Sequence, residues 1–187
     1  VIPSPSGVGK TSFLRLLTNW LPDFELSVSF ITRSKRLYVI DVVYYELINK
    51  QVFHRRISHY ELSESEEVHG YLYGTSRKIV EQTIAEGKML LLEVDVKGGL
   101  AIKESFPNVT LAIFIMPPSE DELIRRLRNR GSDSEERIAK RLERMELETS
   151  YEPKYDITVV NEDLDEAVTA VLESIESKNQ VKEEIWD

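Results

Sequence analysis

Cysteine is absent from this chain of 187 residues. Disulfides and thiolate metal sites are therefore excluded, and a reducing compartment, the cytoplasm, is the default. Positive charge is in deficit: 24 Lys and Arg stand against 33 Asp and Glu, for a formal net charge of -9. Such a surface repels nucleic-acid backbones, which argues against a DNA or RNA partner. No apolar run approaches the ~18 residues of a membrane span, and no signal peptide is visible, so no membrane partner is expected. Glycine is missing from one place in particular. The stretch "SPSGVGKT", Ser4 to Thr11, follows the phosphate-loop pattern G-x-x-x-x-G-K-[ST], but its first glycine position holds Ser4. Only Val1 and Ile2 precede Pro3, where a buried strand normally leads in. Either residues precede Val1 or that strand is very short.

The residues that are present have an ordinary globular balance, 41% hydrophobic and 30% charged. That is enough apolar material for one compact domain. Phe13, Leu16, Leu17 and Trp20 recur at helical spacing, which predicts an amphipathic helix from Lys10 to about Leu21. "LSVSFIT" (26–32) predicts a strand, and 33–70 reads as mixed and mostly polar. Ser76 to Glu86 predicts a helix closed by Gly87. "MLLLEVDV" (89–96) and "VTLAIFIM" (109–116) are continuous apolar runs of the kind that form buried parallel strands. Ser119, with Glu122 at capping-box spacing, opens an arginine-rich helix that reaches Gly131. Further helices are predicted at about 134–149 and 164–175, with the strand "DITVVN" between them and a charged, fraying tail after Ile175. Strands alternating with helices argue for an α/β fold with a parallel sheet.

In a phosphate loop, backbone N–H groups converge on the phosphates and the following helix adds its positive end. Gly7 and Gly9 keep that approach open, Lys10 supplies a mobile cation, and the Thr11 hydroxyl suits Mg²⁺. A small residue such as Ser4 serves at the first position if its φ is negative. Other pieces are open to two readings each. In "TRSKR", Arg33 and Arg36 either fork a phosphate or are solvated. In "EVHGYLYGT", Tyr73 and Thr75 flank Gly74, which leaves room for a ligand or makes a hairpin-like turn. A buried carboxylate among Glu64, Glu66 and Glu67 can accept from the N1–H and N2–H₂ edge of guanine; the run can equally be solvated. Glu93 and Asp95 end a predicted strand on one face, where they suit a metal-bound water or a ligand. The segment 122–144 concentrates basic residues; Arg126, Arg130 and Arg141 either converge on a transferring phosphoryl group or belong to a salt-bridged helical hairpin. His54, His59 and His69 show no metal-ligand spacing.

In order over nearly the whole chain, "SPSGVGKT", "LSVSFITRSKR", "EVHGYLYGT", "LLEVDVKGG", "IFIMPPSEDELIRRLRNRGSDSEERIAKRL" and "DITVVNEDL" resemble the guanylate kinase family. The resemblance implies a P-loop NTPase-type parallel sheet flanked by helices, with an inserted GMP-binding lobe and a helical lid. It divides the chain into core (about 1–28, 76–117 and 150–178), GMP-binding lobe (about 29–75), lid (about 118–149) and charged tail (179–187). It implies transfer of the γ-phosphoryl group of ATP to GMP, giving ADP and GDP, with Mg²⁺. ATP would lie on Ser6, Gly7, Val8, Gly9, Lys10, Thr11 and Ser12, with Asn161 by the adenine. Ser29, Glu64, Thr75 and Asp95 would read the guanine, and Arg33, Arg36, Tyr45 and Tyr73 would hold the GMP phosphate. Lys10, Arg126, Arg130 and Arg141 would be catalytic; Thr11 would hold Mg²⁺, with Glu93 acting through water. Such a protein works as a monomer or homodimer.

The departures from the family pattern gather in the lobe, where Ile31, Lys35, Tyr38-Val39, Val42, Tyr44 and Leu47 stand for the family's Thr, Pro, Gly-Glu, Gly, Asp and Phe, and Ser65 stands for a tryptophan. Two other readings of the chain remain at this point. One is a guanylate-kinase-like interaction module, although Lys10 and the lid arginines are kept. The other is a related kinase acting on another phosphorylated small molecule.

Overall fold

The computed structural model describes residues 1–5, 8–21, 24–32, 45–68, 70–129 and 134–186. The departures at 33–44, with Arg33 and Arg36, lie outside the described residues, as do Ser6, Gly7, His69 and Arg130. The chain divides into two compact units. The first comprises Val1 and Asp23–Thr110, the second Ile2–Pro22 and Leu111–Asp187.

In the first unit, β1 (Phe24–Leu26) pairs in parallel with β6 (Met89–Leu91). Helix α3 (Arg77–Ala85) leads into β6. Ser76 caps its start by accepting from the Ile79 N–H, and Gly87, at φ 68, closes its end. A mixed sheet runs in the order β3-β2-β5-β4, made of β2 (Ser29–Ile31), β3 (Tyr45–Leu47), β4 (Leu62–Val68) and β5 (Tyr71–Ser76). Helix α2 (Lys50–Ser58) covers it, burying Phe53 against Phe30 and Leu62. Val80, Leu92, Val94 and Ile102 make a second apolar cluster in this unit.

Three expectations are corrected here. The predicted strand 26–32 is two strands. The chain leaves β6 after the Ser27 N–H donates to the Leu91 carbonyl, then joins the mixed sheet at Ser29. The predicted strand 89–96 stops at Leu91, because its partner β1 is only three residues long. Asp95 instead turns the chain into α4 (Val96–Ser105), capping it by accepting from the Gly98 N–H at 2.7 Å. The space over Gly74 holds no ligand room either. A Cβ there would lie 2.9 Å from Leu62 Cδ1 and 3.0 Å from Phe53 Cζ, so this glycine lets α2 and β4 approach β5.

In the second unit, β7 (Ile113–Met116) and β8 (Ile157–Val160) pair in parallel, and the Ile115 N–H donates to the Pro3 carbonyl. Helix α1 (Lys10–Trp20) packs against α7 (Leu164–Trp186). Helices α5 (Glu120–Asn129) and α6 (Glu135–Thr149) meet through Leu123, Leu127 and Ile138. The tail expected to fray from 176 is instead the continuation of α7, since 176–186 contains no glycine or proline and is rich in good helix formers. The capping box is only half formed. Ser119 accepts from the Glu122 N–H, but the Glu122 carboxylate is taken by Arg125 and Arg126.

Candidate functional site

Strand register gathers the residues expected to bind GMP. Ser29 on β2 lies opposite Tyr45 on β3 and Thr75 on β5, and Thr75 lies opposite Glu64 on β4. Four expected GMP-binding residues from four strands thus fall in one row on one face of the sheet. Tyr73, two residues from Thr75, shares that face, and its ring meets Tyr45 edge-on at 6.2 Å. The row depends on a bulge. Leu62 pairs with Ser76 and Glu64 with Thr75, so Ser63 is the extra residue that brings Glu64 into register.

Glu64 is buried. The Thr75 hydroxyl donates to its Oε1 at 2.6 Å. Burial pushes its carboxyl up to about 7, helped by the neighbouring Asp95 and Glu66 and opposed by the Thr75 hydrogen bond. On its other side stands α4. A Cβ built on Gly98 would lie 2.8 Å from Glu64 Oε2 and 3.1 Å from Asp95 Oδ1. Gly98 therefore lets the start of α4 approach both carboxylates, a role the sequence reading missed although the glycines of "VKGG" were the available signal. Asp95 is brought beside Glu64 as a helix cap, whereas Glu93 sits half-buried in the segment that precedes it.

The residues expected to bind ATP lie in the second unit. Gly9 adopts φ 95, a left-handed conformation costly for any residue with a side chain, and as the residue before the helix that starts at Lys10 it brings no side-chain cap to it. The first turn of α1 contains no acidic residue, so its positive end is available to an anion. Ser4 is buried, and Tyr60 is the only non-glycine with positive φ among the described residues. Ser4 thus meets the condition set for its position. Val8 is buried and Ser12 exposed. Asn161 is 4% exposed, and its Nδ2 donates to the Val8 carbonyl at 2.8 Å.

The basic segment has much of the salt-bridged hairpin in it. Arg125 and Arg126 bond Glu122, Arg128 bonds Glu135, and Lys140 bonds Glu136. Arg126 also donates to the carbonyls of Asn161 and Glu162. Arg141 is half-buried on α6. Among the described residues, no group of three His, Cys, Asp or Glu side chains could hold a metal, and no helix is long and apolar enough to cross a membrane.

A left-handed glycine opening a helix, beside parallel strands flanked by helices, defines a phosphate-loop α/β fold. Apart from it, a row of polar side chains surrounds a buried carboxylate, Glu64, on one face of the mixed sheet. The family model "Guanylate kinase" matches residues 1–178. The chain is 43% identical to the guanylate kinase of Synechocystis over 94% of its length and 91% of that protein's. It is 41% identical to that of Escherichia coli, covering 90% of this chain and 82% of the other. The crystal structure of guanylate kinase from Anaplasma phagocytophilum matches 95% of the chain and 83% of its own with a TM-score of 0.78 at 30% identity. The chain belongs to the guanylate kinase family.

Proposed function

We propose that the chain performs the reaction of its family, transfer of the γ-phosphoryl group of ATP to GMP, with its residues divided between a donor side and an acceptor side. The row Tyr45–Ser29–Thr75–Glu64 carries the reading. An ionised Glu64 presents two acceptor oxygens, which suit the N1–H and N2–H₂ of guanine; adenine offers no such donor pair. Ser29, Thr75 and Asp95 supply the remaining polar contacts. Tyr45 and Tyr73 present hydroxyls to the GMP phosphate together with Arg33 and Arg36. On the donor side, the loop from Ser6 to Ser12 cradles the phosphates of ATP and Lys10 follows the charge that moves.

The acceptor is already a phosphate oxygen anion, so no strong general base is required. Catalysis is positioning and charge neutralisation, with Lys10, Arg130 and Arg141 as the cationic groups. Magnesium fits the donor set. Thr11 would provide a hard oxygen ligand and Glu93 would act through water, which suits an ion that keeps its waters and binds chiefly through substrate phosphates. When bound, the ion neutralises phosphate charge. The lobe and lid boundaries follow the resemblance, at about 29–75 and 118–149, and the cytoplasm is the compartment we assign.

The test is a coupled ADP-release assay with GMP, AMP, UMP and ribose phosphates. Turnover with GMP well above the others is expected. No turnover with any acceptor would sink the enzyme reading, and turnover of a sugar phosphate without GMP would reassign the acceptor side.

A further inference from the structure

We propose that Arg126 and Asn161 form a latch that holds the phosphate loop in its nucleotide-binding shape, so that Arg126 is a positioning residue for ATP rather than a cation on the transferring group. The inference rests on the ATP-side reading of the loop.

A loop that aims its N–H groups inward at phosphates must send its carbonyls outward, and a buried carbonyl needs a donor. For Val8 that donor is the Asn161 side-chain amide, at 2.8 Å and across 153 positions of sequence. The contact lies next to the residue whose conformation matters most. A Cβ on Gly9 would come 3.5 Å from Asn161 Nδ2, so the amide packs over the left-handed glycine. Asn161 is itself held from both sides of its backbone. Its N–H donates to the Met116 carbonyl at 2.7 Å, at the end of the β7–β8 pair, and its carbonyl accepts from Arg126 Nη1 at 3.1 Å.

Arg126 completes the chain of contacts. Its Nη2 donates to the Glu162 carbonyl at 3.3 Å and its Nε to Glu122 Oε1 at 2.8 Å. One planar guanidinium thus ties helix α5 to the two residues that follow β8. Its fork is suited to spanning two carbonyls and a carboxylate, and a lysine at the same place can reach only part of that set. An arginine that acts on the transferring phosphoryl group would bring a cation to the phosphates; this one is committed to shaping the segment that braces the loop.

Calorimetric titration of ADP and, separately, of GMP into wild type, Arg126→Ala, Arg126→Lys and Asn161→Leu tests this, alongside turnover at saturating substrates. Losing one bond of this kind should weaken ADP by about tenfold. Arg126→Lys should resemble Arg126→Ala, because charge without the fork does not restore the latch. GMP affinity should stay within about twofold, and Arg126→Ala with Asn161→Leu should bind ADP no more weakly than the worse single variant, as expected of residues in one chain of contacts.

ADP affinity unchanged in Arg126→Ala while turnover falls by about a hundredfold would overturn the proposal in favour of a role on the transferring group. Additive losses, full rescue by lysine, or equal weakening of ADP and GMP would overturn it as well. If Asn161→Leu fails to fold, the comparison of Arg126→Ala with Arg126→Lys decides alone. Wild type that binds ADP but does not phosphorylate GMP would defeat the proposed function while leaving the latch standing.

Discussion

Gly98→Ala is the most incisive perturbation of the acceptor side. The added methyl would arrive 2.8 Å from Glu64 Oε2, 3.1 Å from Asp95 Oδ1 and 3.2 Å from Glu64 Cδ. For ordinary contact, which begins at 3.4 Å, the Glu64 carboxylate must retreat by about 0.6 Å. It has little freedom to do so, because Thr75 holds its other oxygen at 2.6 Å and the strand row fixes its backbone. Misplacing a hydrogen-bonding carboxylate by that amount forfeits on the order of 1.5–3 kcal/mol of a charged hydrogen bond, or about tenfold to a hundredfold in affinity. Stability should move little, since alanine in a helix gains about 0.5–1 kcal/mol over glycine and offsets part of the strain. Steady-state kinetics with varied GMP and varied ATP, together with a thermal melt, read all three quantities. The KM for GMP should rise by at least about tenfold with the KM for ATP little changed. A KM for GMP within about twofold of wild type would refute the reasoning, because it would mean that the carboxylate can move without consequence.

The remaining predictions follow from the same geometry. Because burial lifts the Glu64 carboxyl to about 7, GMP affinity should fall as pH drops below about 7, and Glu64→Gln should remove that dependence; a profile flat through this range refutes it. The same shift has a stability sign. The folded protein holds a proton that the unfolded chain releases at the ordinary glutamate value of 4.5, so stability is full below that pH and is lost as pH rises through about 7. Glu64→Gln should therefore be more stable than wild type at about pH 8, by on the order of 3 kcal/mol, and equal to it near pH 4; urea melts at both pH values check this. Lys10→Ala should lower transfer by at least about a hundredfold, while calorimetry finds GMP binding intact. Asn49→Ala removes the acceptor for the Val52 N–H at 2.8 Å at the start of α2, and should cost about 1 kcal/mol by urea denaturation without changing the KM for ATP.

The family was legible in the amino-acid sequence because its signals are local. A glycine–lysine–threonine turn before a periodic helix and a glycine after Glu86 each act over a few residues, and the structure keeps both. Helix α2 was not legible. Its polar surface buries one large side chain, Phe53, so its period does not stand out from the surrounding charge. The length of β6 was hidden for another reason: an apolar run ends as a strand where its partner ends, and the partner lies 65 positions upstream.

The same division holds within the site. Residue type and spacing alone determined that this chain carries a phosphate loop, a buried carboxylate candidate and a basic helical segment. Tertiary structure decided which groups meet. A one-residue bulge at Ser63 puts Glu64 beside Thr75, a missing side chain at Gly98 lets α4 close on that carboxylate, and an amide 153 positions away holds the carbonyl of Val8. Register, close approach and long-range hydrogen bonding depend on packing between distant segments, and no local pattern encodes them.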